Sequence, residues 1–435
     1  MLDHSGLDWG VVAVFVLVYL GMILGGLPRV KLNRSGVALL GAIAVIGLGA
    51  VSVEDAARSV DLPTILLLFS FMVLSAQMRL GGFYTAVTQR VAALALGRPA
   101  FLGAIILVAA ALSAVFSNDI ICLAMTPVVA RLCQQRRVDP VPFLVGLACA
   151  ANIGSAATLI GNPQNMLIGS VLQLPFGAYV RQAALPVLGS LAVLWGWLVW
   201  GGCGGPLRPF EDQPPPLPSP GGGGSKTGTH TFDPSDSGFG PMQTPPFDAW
   251  QTAKGLTVAL ALLVVFLFTD WPREVAALVG AGVLLLSRRF HSSHVMGFVD
   301  WELLVLFMGL FVVNHAFAAT GLATQAVAAM ATHGVHLGEP GSLLLIGTGL
   351  SNLVSNVPAV MLLLPHVQGF EAGLLLALVS TLAGNLLLVG SIANLIVADL
   401  AARSGVLIDW RTHARIGVPV TLLTLAVVWV TLPAP

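Results

Sequence analysis

The feature that most limits what this chain can fold into is the recurrence of apolar runs on the scale of a membrane crossing. They lie at Gly10–Gly26, Val37–Val53, Leu62–Met78, Pro99–Phe116, Val141–Ile160, Ala184–Gly201, Gly255–Thr269, Val275–Leu286, Leu303–Thr320, Gly373–Leu388 and Ile416–Leu432. A hydrocarbon core about 30 Å thick takes roughly 20 helical residues, and the Val275 run is short by that measure. Eleven runs exclude a lone anchor or a cleaved signal peptide. Transmembrane β-strands would be about half as long and polar on one face, so the runs read as helices. The chain is 56% apolar and only 9% charged, against roughly 25% charged residues in a soluble domain.

Charge and cysteines exclude other classes. The 20 basic and 20 acidic residues cancel and form no basic patch, so nucleic acid is not an expected partner. Cys122, Cys133, Cys149 and Cys203 fall at no metal-ligand or redox spacing and read as small packing residues.

Residues 202–249 break the apolar pattern. Their Pro- and Gly-rich stretch, Gln213-Pro-Pro-Pro-Leu-Pro-Ser-Pro-Gly-Gly-Gly-Gly-Ser225, cannot bury a core and reads as a flexible linker. It separates two segments of similar size, 1–201 and 250–435, and these repeat one another. Val60-Asp61 before one span matches Val299-Asp300 before another, 239 residues on. Ser113-x3-Ser117-Asn118 followed by Pro127 matches Ser351-x3-Ser355-Asn356 followed by Pro365, at a shift of 238. Gly161-Asn-Pro-Gln-Asn165 matches Gly390-Ser-Ile-Ala-Asn394, at a shift of 229.

Basic residues orient each half, because loops rich in Lys and Arg stay in the cytoplasm. Arg29, Lys31 and Arg34 place the first loop inside and the N-terminus outside, and the acidic loop 53–61 lies outside. Arg98 and Arg131, Arg136 and Arg137 flank the Ser117 segment on both sides, the signature of a re-entrant hairpin entering from the cytoplasm. The flanks of the Ser355 segment hold no Lys or Arg, while Arg288 and Arg289 end the second span of that half. That hairpin therefore opens outward. The expectation is an all-α polytopic membrane protein of two inverted repeats, each with a re-entrant hairpin (about 99–132 and 341–367) and a broken helix (about 141–172 and 370–402). The linker is expected inside and both termini outside, in a bacterial-type inner membrane.

Polar residues in mid-span are costly unless they bind something, and an interrupted helix at membrane depth is tolerated where it lines an enclosed cavity. The hairpin tips are Ser117-Asn118-Asp119 and Ser355-Asn356-Val357-Pro358. The breaks run from Asn152 through Asn165 and from Gly384-Asn385 to Asn394. Asn and Ser supply neutral donors and acceptors suited to oxyanions, carboxylates or uncharged hydroxyl-rich solutes. The alternative is that they are helix-packing glue. Asp119 is an acid at a mid-membrane tip whose counterpart is Val357. It could carry a coupling proton or bind Na⁺, or cap the outgoing helix. Asp61 and Asp300 read as helix caps. Asn314 and His315 lie within a span and read as pathway or packing residues.

These motifs resemble the ion transporter superfamily, which includes bacterial arsenite efflux permeases, plant silicon efflux transporters, Na⁺/H⁺ antiporters and divalent-anion/Na⁺ symporters. The likeness rests on Ala151–Asn165, Ser355–Pro365 and Ser380–Asn394, and covers both halves but not the linker. It implies a scaffold and a transport domain in each half, elevator-type alternating access, and a homodimer. Carried over, the substrate- or ion-binding positions are Ser117, Asn118, Asp119, Thr158, Gly161, Asn162, Asn165, Ser355, Asn356, Asn385, Gly390, Ser391 and Asn394, with a Na⁺ site possible near Asn118, Asp119 and Asn356. The divalent-anion symporters have Ser-Asn-Thr at both tips, whereas this chain has Ser-Asn-Asp and Ser-Asn-Val. Asp119 instead resembles the Asn-Asp pair of arsenite permeases. The expected function is a secondary transporter extruding a small metalloid oxyacid or anion in exchange for protons. The alternatives are Na⁺-coupled anion or dicarboxylate uptake and Na⁺/H⁺ antiport. A channel or an integral-membrane enzyme is a remote reading: no His-Glu-x-x-His, Gly-x-Ser-x-Gly or paired intramembrane aspartates occur, and no Walker A pattern. No cofactor is expected beyond a coupling ion, H⁺ or Na⁺.

Overall fold

The computed structural model describes residues 4–27, 32–200 and 247–432. Arg29, Lys31, Cys203 and nearly all of the expected linker lie outside the described residues. The first half comprises α1 (His4–Leu24), α2 (Arg34–Gly47), α3 (Val53–Ser59), α4 (Leu62–Leu80), α5 (Phe83–Ala93), α6 (Arg98–Ser113), α7 (Asn118–Gln135), α8 (Pro140–Ser155), α9 (Pro163–Val171) and α10 (Phe176–Val199). The second comprises α11 (Ala249–Phe268), α12 (Arg273–Leu285), α13 (Ser292–Met296), α14 (Trp301–Ala319), α15 (Leu322–Thr332), α16 (Pro340–Val354), α17 (Asn356–Leu363), α18 (Gly369–Ala383), α19 (Ile392–Arg403) and α20 (Trp410–Thr431). Among the described residues the only strands are Gly26–Leu27 and Leu32–Asn33, a two-residue antiparallel ladder closing the α1–α2 turn. The chain is an all-α polytopic membrane protein.

The halves correspond element by element, α1 with α11 through α10 with α20. Local chemistry repeats with them. Asp61 accepts the N–H of Thr64 at 2.9 Å to cap α4, and Asp300 accepts that of Leu303 at 2.9 Å to cap α14, so both acids are the helix caps that the sequence suggests. Gly82 before α5 and Gly321 before α15 both take left-handed φ, 68° and 72°, which a residue with a Cβ adopts only under strain. Symmetry fails after the tips. Helix α7 runs on through Pro127, whereas α17 stops at Leu363 and tightens into a 3₁₀ turn around Pro365, since proline removes a donor and clashes with the preceding turn.

Six of the eleven apolar runs form helices of 18 residues or more: α1, α4, α10, α11, α14 and α20. The other five form α2, α6, α8, α12 and α18, which are 13 to 16 residues long. At 1.5 Å per residue these reach roughly 20–24 Å, short of a full crossing. Helices α6, α8 and α18 are the hairpin arm and the broken-helix halves that the sequence predicts, and α12 comes from the run already short in the sequence; only α2, which ends at Gly47, falls short of the length its run suggests.

The packing interleaves the halves. Helix α14 lies along α2 and touches α1, and reciprocally α4 lies along α12 and α11. Around the breaks, α7 packs on α19 and α17 on α9, so each half supplies walls for the other. Small residues allow the closest approaches: a Cβ on Gly154 would fall 2.3 Å from the Ala110 backbone where α8 crosses α6, and one on Gly309 would fall 2.7 Å from that of Ala38 where α14 crosses α2. Cys122, Cys133 and Cys149 are free and buried.

Candidate solute site

Helices α8 and α18 each end at mid-chain positions where polar residues recur, and what they unwind into is the site. Residues 156–162 separate α8 from α9. Asn162 caps α9 by accepting the N–H of Asn165 at 2.9 Å, and Asn165 Nδ2 donates back to the carbonyl of Thr158 at 3.1 Å. Residues 384–391 separate α18 from α19, and Asn394 Nδ2 donates to the carbonyl of Leu387 at 3.1 Å. Leu387 and Asn394 are the counterparts of Thr158 and Asn165, so both breaks are closed by the same seven-residue clasp. Asn394 also bonds the carbonyl of Gly384 at 2.8 Å. Backbone crowding requires glycine at the first break, and at the second an added Cβ would have to displace the Asn352 side chain. A Cβ on Gly161 would lie 2.2 Å from the Ser155 carbonyl and 2.8 Å from that of Ser113, and one on Gly390 would lie 2.7 Å from Asn352 Oδ1.

Two residues outside the expected binding set tie the halves together crosswise. Asn152, on α8, donates to Asn385 Oδ1 at 2.8 Å and to Asn394 Oδ1 at 3.4 Å, and accepts from Asn118 Nδ2 at 2.9 Å and Ser391 Oγ at 3.1 Å. It thus joins the first tip to the second break. Its counterpart Thr381, on α18, accepts from Asn162 at 3.2 Å and Gln164 at 3.2 Å and donates to Asn165 Oδ1 at 3.3 Å. Ser155 links the two clusters by donating to the Asn152 carbonyl and accepting from Asn162, both at 2.8 Å. No Asp, Glu, Lys or Arg takes part in these bonds.

The expected binding positions divide accordingly. Asn118, Asn385, Ser391 and Asn394 gather around Asn152, and Asn162 and Asn165 around Thr381. Thr158 donates to the carbonyl of Ala114, tying the first break to the first tip. Asn356 reaches the second break, its Nδ2 2.9 Å from where a Cβ on Gly384 would sit. Ser117 and Ser355 stand at the helix junctions and make no capping bond with their side chains. Ser355 holds φ at 79°, a conformation that costs a non-glycine residue on the order of 1–3 kcal/mol. Asp119 is half-buried in the first turn of α7 and has no hydrogen-bond or ion-pair partner among the described residues. It is no helix cap, since a cap would accept an N–H of that turn.

Several buried polar atoms at the tips have no partner: Asn118 Oδ1, Asn356 Oδ1, Asn352 Oδ1, Asn385 Nδ2, and the hydroxyls of the matched pair Ser113 and Ser351. Stranded groups of this kind cost about 1–3 kcal/mol each when nothing meets them. The two tip amide oxygens are buried acceptors without a hydrogen-bond partner among the described residues, and such an oxygen fits a cation or a hydroxyl donor. Asn314, by contrast, accepts from Tyr19 at 2.9 Å between α14 and α1, away from this network, and His315 is exposed.

The sequence reading missed Asn152 as a hub, Gln164, Thr381, Asn352, Tyr179 and His413. Asn352 carries a usable signal, an amide next to Ser351 in an apolar run, and Asn152 a lesser one, a lone amide between Ala151 and Ile153. Thr381 does not, because a threonine in a membrane helix ordinarily bonds its own helix.

Comparison with known proteins places this arrangement. The chain is 30% identical over 475 residues to the silicon efflux transporter LSI3 of Oryza sativa subsp. japonica, covering 95% of each. It is 31% identical over 363 residues to the inner membrane protein YbiR of Escherichia coli K12, covering 82% of this chain and 83% of that one. Its fold is similar to that of the YdaH transporter of Alcanivorax borkumensis, with a TM-score of 0.51 over 98% of both chains at 14% identity. A family model described as CitMHS, citrate transporter, matches residues 15–375. The chain is therefore a multi-pass membrane transporter, not an enzyme, and belongs to the CitMHS citrate transporter family within the ion transporter superfamily.

Proposed function

We propose that the protein is a secondary transporter that extrudes a small metalloid oxyacid, of the arsenite or silicate kind, in exchange for protons. The observation that carries this reading is the charge-free polar network joining the first tip to both breaks, with one unpartnered carboxylate, Asp119, beside it. Arsenite and silicate are mostly uncharged hydroxylated acids at neutral pH. Their hydroxyls can donate to the open Oδ1 atoms of Asn118 and Asn356 and accept from Asn385 Nδ2. A citrate trianion would meet no Lys or Arg in the network and would be repelled by Asp119. Asp119, half-buried and without a cap or salt-bridge role, is the group suited to carry the coupling proton.

Alternating access is supported by the unequal exposure of the two breaks. Ile160 and Met166 in the first are 1% and 4% exposed, while their counterparts Val389 and Leu395 in the second are 56% and 38% exposed. Helix α9 is covered by α4, with Ser170 donating to Asp61 at 2.9 Å. An inverted-repeat transporter caught at one end of its cycle closes one such face and opens the other. In this reading the Ser117 and Ser355 tips are re-entrant, the basic loops are cytoplasmic, and the protein resides in the inner membrane with both termini outside.

A second reading, Na⁺-coupled uptake of a carboxylate, has its own support: the two orphaned amide oxygens suit Na⁺, and the family model is described by citrate. Reconstituted vesicles separate the two. Arsenite, silicate and succinate fluxes are measured under imposed proton or sodium gradients, with metalloid flux driven by the proton gradient expected. Asp119→Asn should abolish proton coupling while the protein still inserts. Sodium-dependent succinate uptake with no metalloid flux overturns the proposal.

A further inference from the structure

Helices α10 and α20 hold the two breaks from the side, and they do so with different chemistry at the same position. Tyr179, the fourth residue of α10, is fully buried. Its hydroxyl donates to the carbonyl of Ala156 at 2.9 Å and accepts from Asn165 at 3.1 Å. His413, the fourth residue of α20, is 1% exposed, and its Nε2 lies 3.0 Å from the carbonyl of Asn385. A carbonyl only accepts, so Nε2 carries the proton. Ala156 and Asn385 are counterparts, each just past its helix. The imidazole reaches less far than a phenol, and the fold compensates one turn later. Ala183 follows Tyr179, whereas Gly417 follows His413, and a Cβ on Gly417 would lie 2.3 Å from the Asn385 carbonyl oxygen. The backbone of the second break is thus drawn closer to its supporting helix.

The consequence differs between halves because the residue held differs. Ala156 has no side chain to offer. Asn385 has an amide whose Oδ1 is taken by Asn152 and whose Nδ2, fully buried, has no partner. We propose that His413 is a positioning residue of the transport site: by fixing the Asn385 carbonyl it aims the free Asn385 amide at the solute, with Gly417 providing the clearance. Tyr179 holds the opposite break through Asn165 and through the carbonyl of Ala156, a residue with no polar side chain to aim. The proposal rests on the transport reading above, through the assignment of Asn385 to solute contact.

The test compares His413→Phe, His413→Gln, Gly417→Ala and, as a control away from the breaks, Gly282→Ala with the parent protein in vesicles, with arsenite as the probe. His413→Phe and Gly417→Ala should raise the KM about 5–10-fold with the maximal rate changed less than twofold. His413→Gln, which restores a neutral N–H donor, should return the KM to within about twofold of the parent. Gly282→Ala, where nothing lies within 4 Å of the added carbon, should leave the KM unchanged. An unchanged KM in His413→Phe, or a glutamine variant as impaired as the phenylalanine one, overturns the proposal. Should the parent carry no arsenite, the metalloid reading fails by itself, and amide exchange over residues 385–391 decides the positioning role. Exchange there should accelerate in His413→Phe and not in His413→Gln, and equal exchange in both overturns it.

Discussion

Replacing Asn152 by alanine tests whether the crossed network is what joins the halves. The substitution removes one side chain and strands three buried groups: Asn118 Nδ2, Ser391 Oγ and Asn385 Oδ1, which lie 2.9, 3.1 and 2.8 Å from it. A stranded group costs about 1–3 kcal/mol in soluble proteins, and hydrogen bonds between membrane helices average about 0.6 kcal/mol, so three put the loss between about 2 and 9 kcal/mol. The 3.4 Å contact with Asn394 is too long to add much. Unfolding entropy grows with chain length, so at this size 1 kcal/mol moves Tm by roughly 1–2 °C, and the expected fall is at least about 2 °C. Intrinsic tryptophan fluorescence of the detergent-purified protein during a thermal ramp reads it. Thr381→Val provides the internal scale. It keeps the shape of the other hub and removes three longer bonds of 3.2 to 3.3 Å, so its fall should be smaller. An Asn152→Ala protein with the parent Tm and unchanged transport would show that the network does not join the halves.

Two further outcomes follow from the same geometry. Gly161→Ala should abolish transport, because its Cβ would lie 2.2 Å from the Ser155 carbonyl. Gly282→Ala, where nothing lies within 4 Å of the added carbon, should be neutral, and comparing vesicle uptake by the two variants checks both. At the start of α11, outside the spans, the N–H of Gln251 and then the Arg289 guanidinium hold the Asp248 carboxyl below its usual range. A depressed carboxyl stabilises the fold above its unfolded pKa of about 3.9 and loses that contribution as pH falls through the folded value. Protection of the amides in the first turn of α11, taken relative to their intrinsic exchange rate at each pH, should therefore fall as the pH is taken below about 4, and Asp248→Asn should flatten that dependence.

Much of this was legible in the chain because the signals are local. Asp61 and Asp300 cap helices through bonds three residues long, and Gly161 marks its break because a Cβ has no room there. The duplication was readable for the same reason, since Ser-x3-Ser-Asn and Gly-x3-Asn keep their spacing in both halves. The reach of the Val37–Val53 run was not, since α2 ends at Gly47 and Ser52 and Val53 go to the cap and first turn of α3.

What only the tertiary structure decided is which polar residue serves which half. Asn152 and Asn385 lie 233 residues apart in the chain, Gln164 and Thr381 217, and no spacing rule connects them. Asn152 reads as part of its own break until the packing of α8 against α19 shows it bonded to the opposite one. His413 reads as an unremarkable histidine near the start of a span until Gly417 lets the Asn385 carbonyl come within 3.0 Å of it. The sequence alone determined that the chain would form membrane helices, where they would break and that it was duplicated, because apolar runs, caps and glycines act within a few residues. The interleaving of the two halves decided which unpaired amides face the site, because a hydrogen bond depends on distance in space, and the chain order of its partners does not enter.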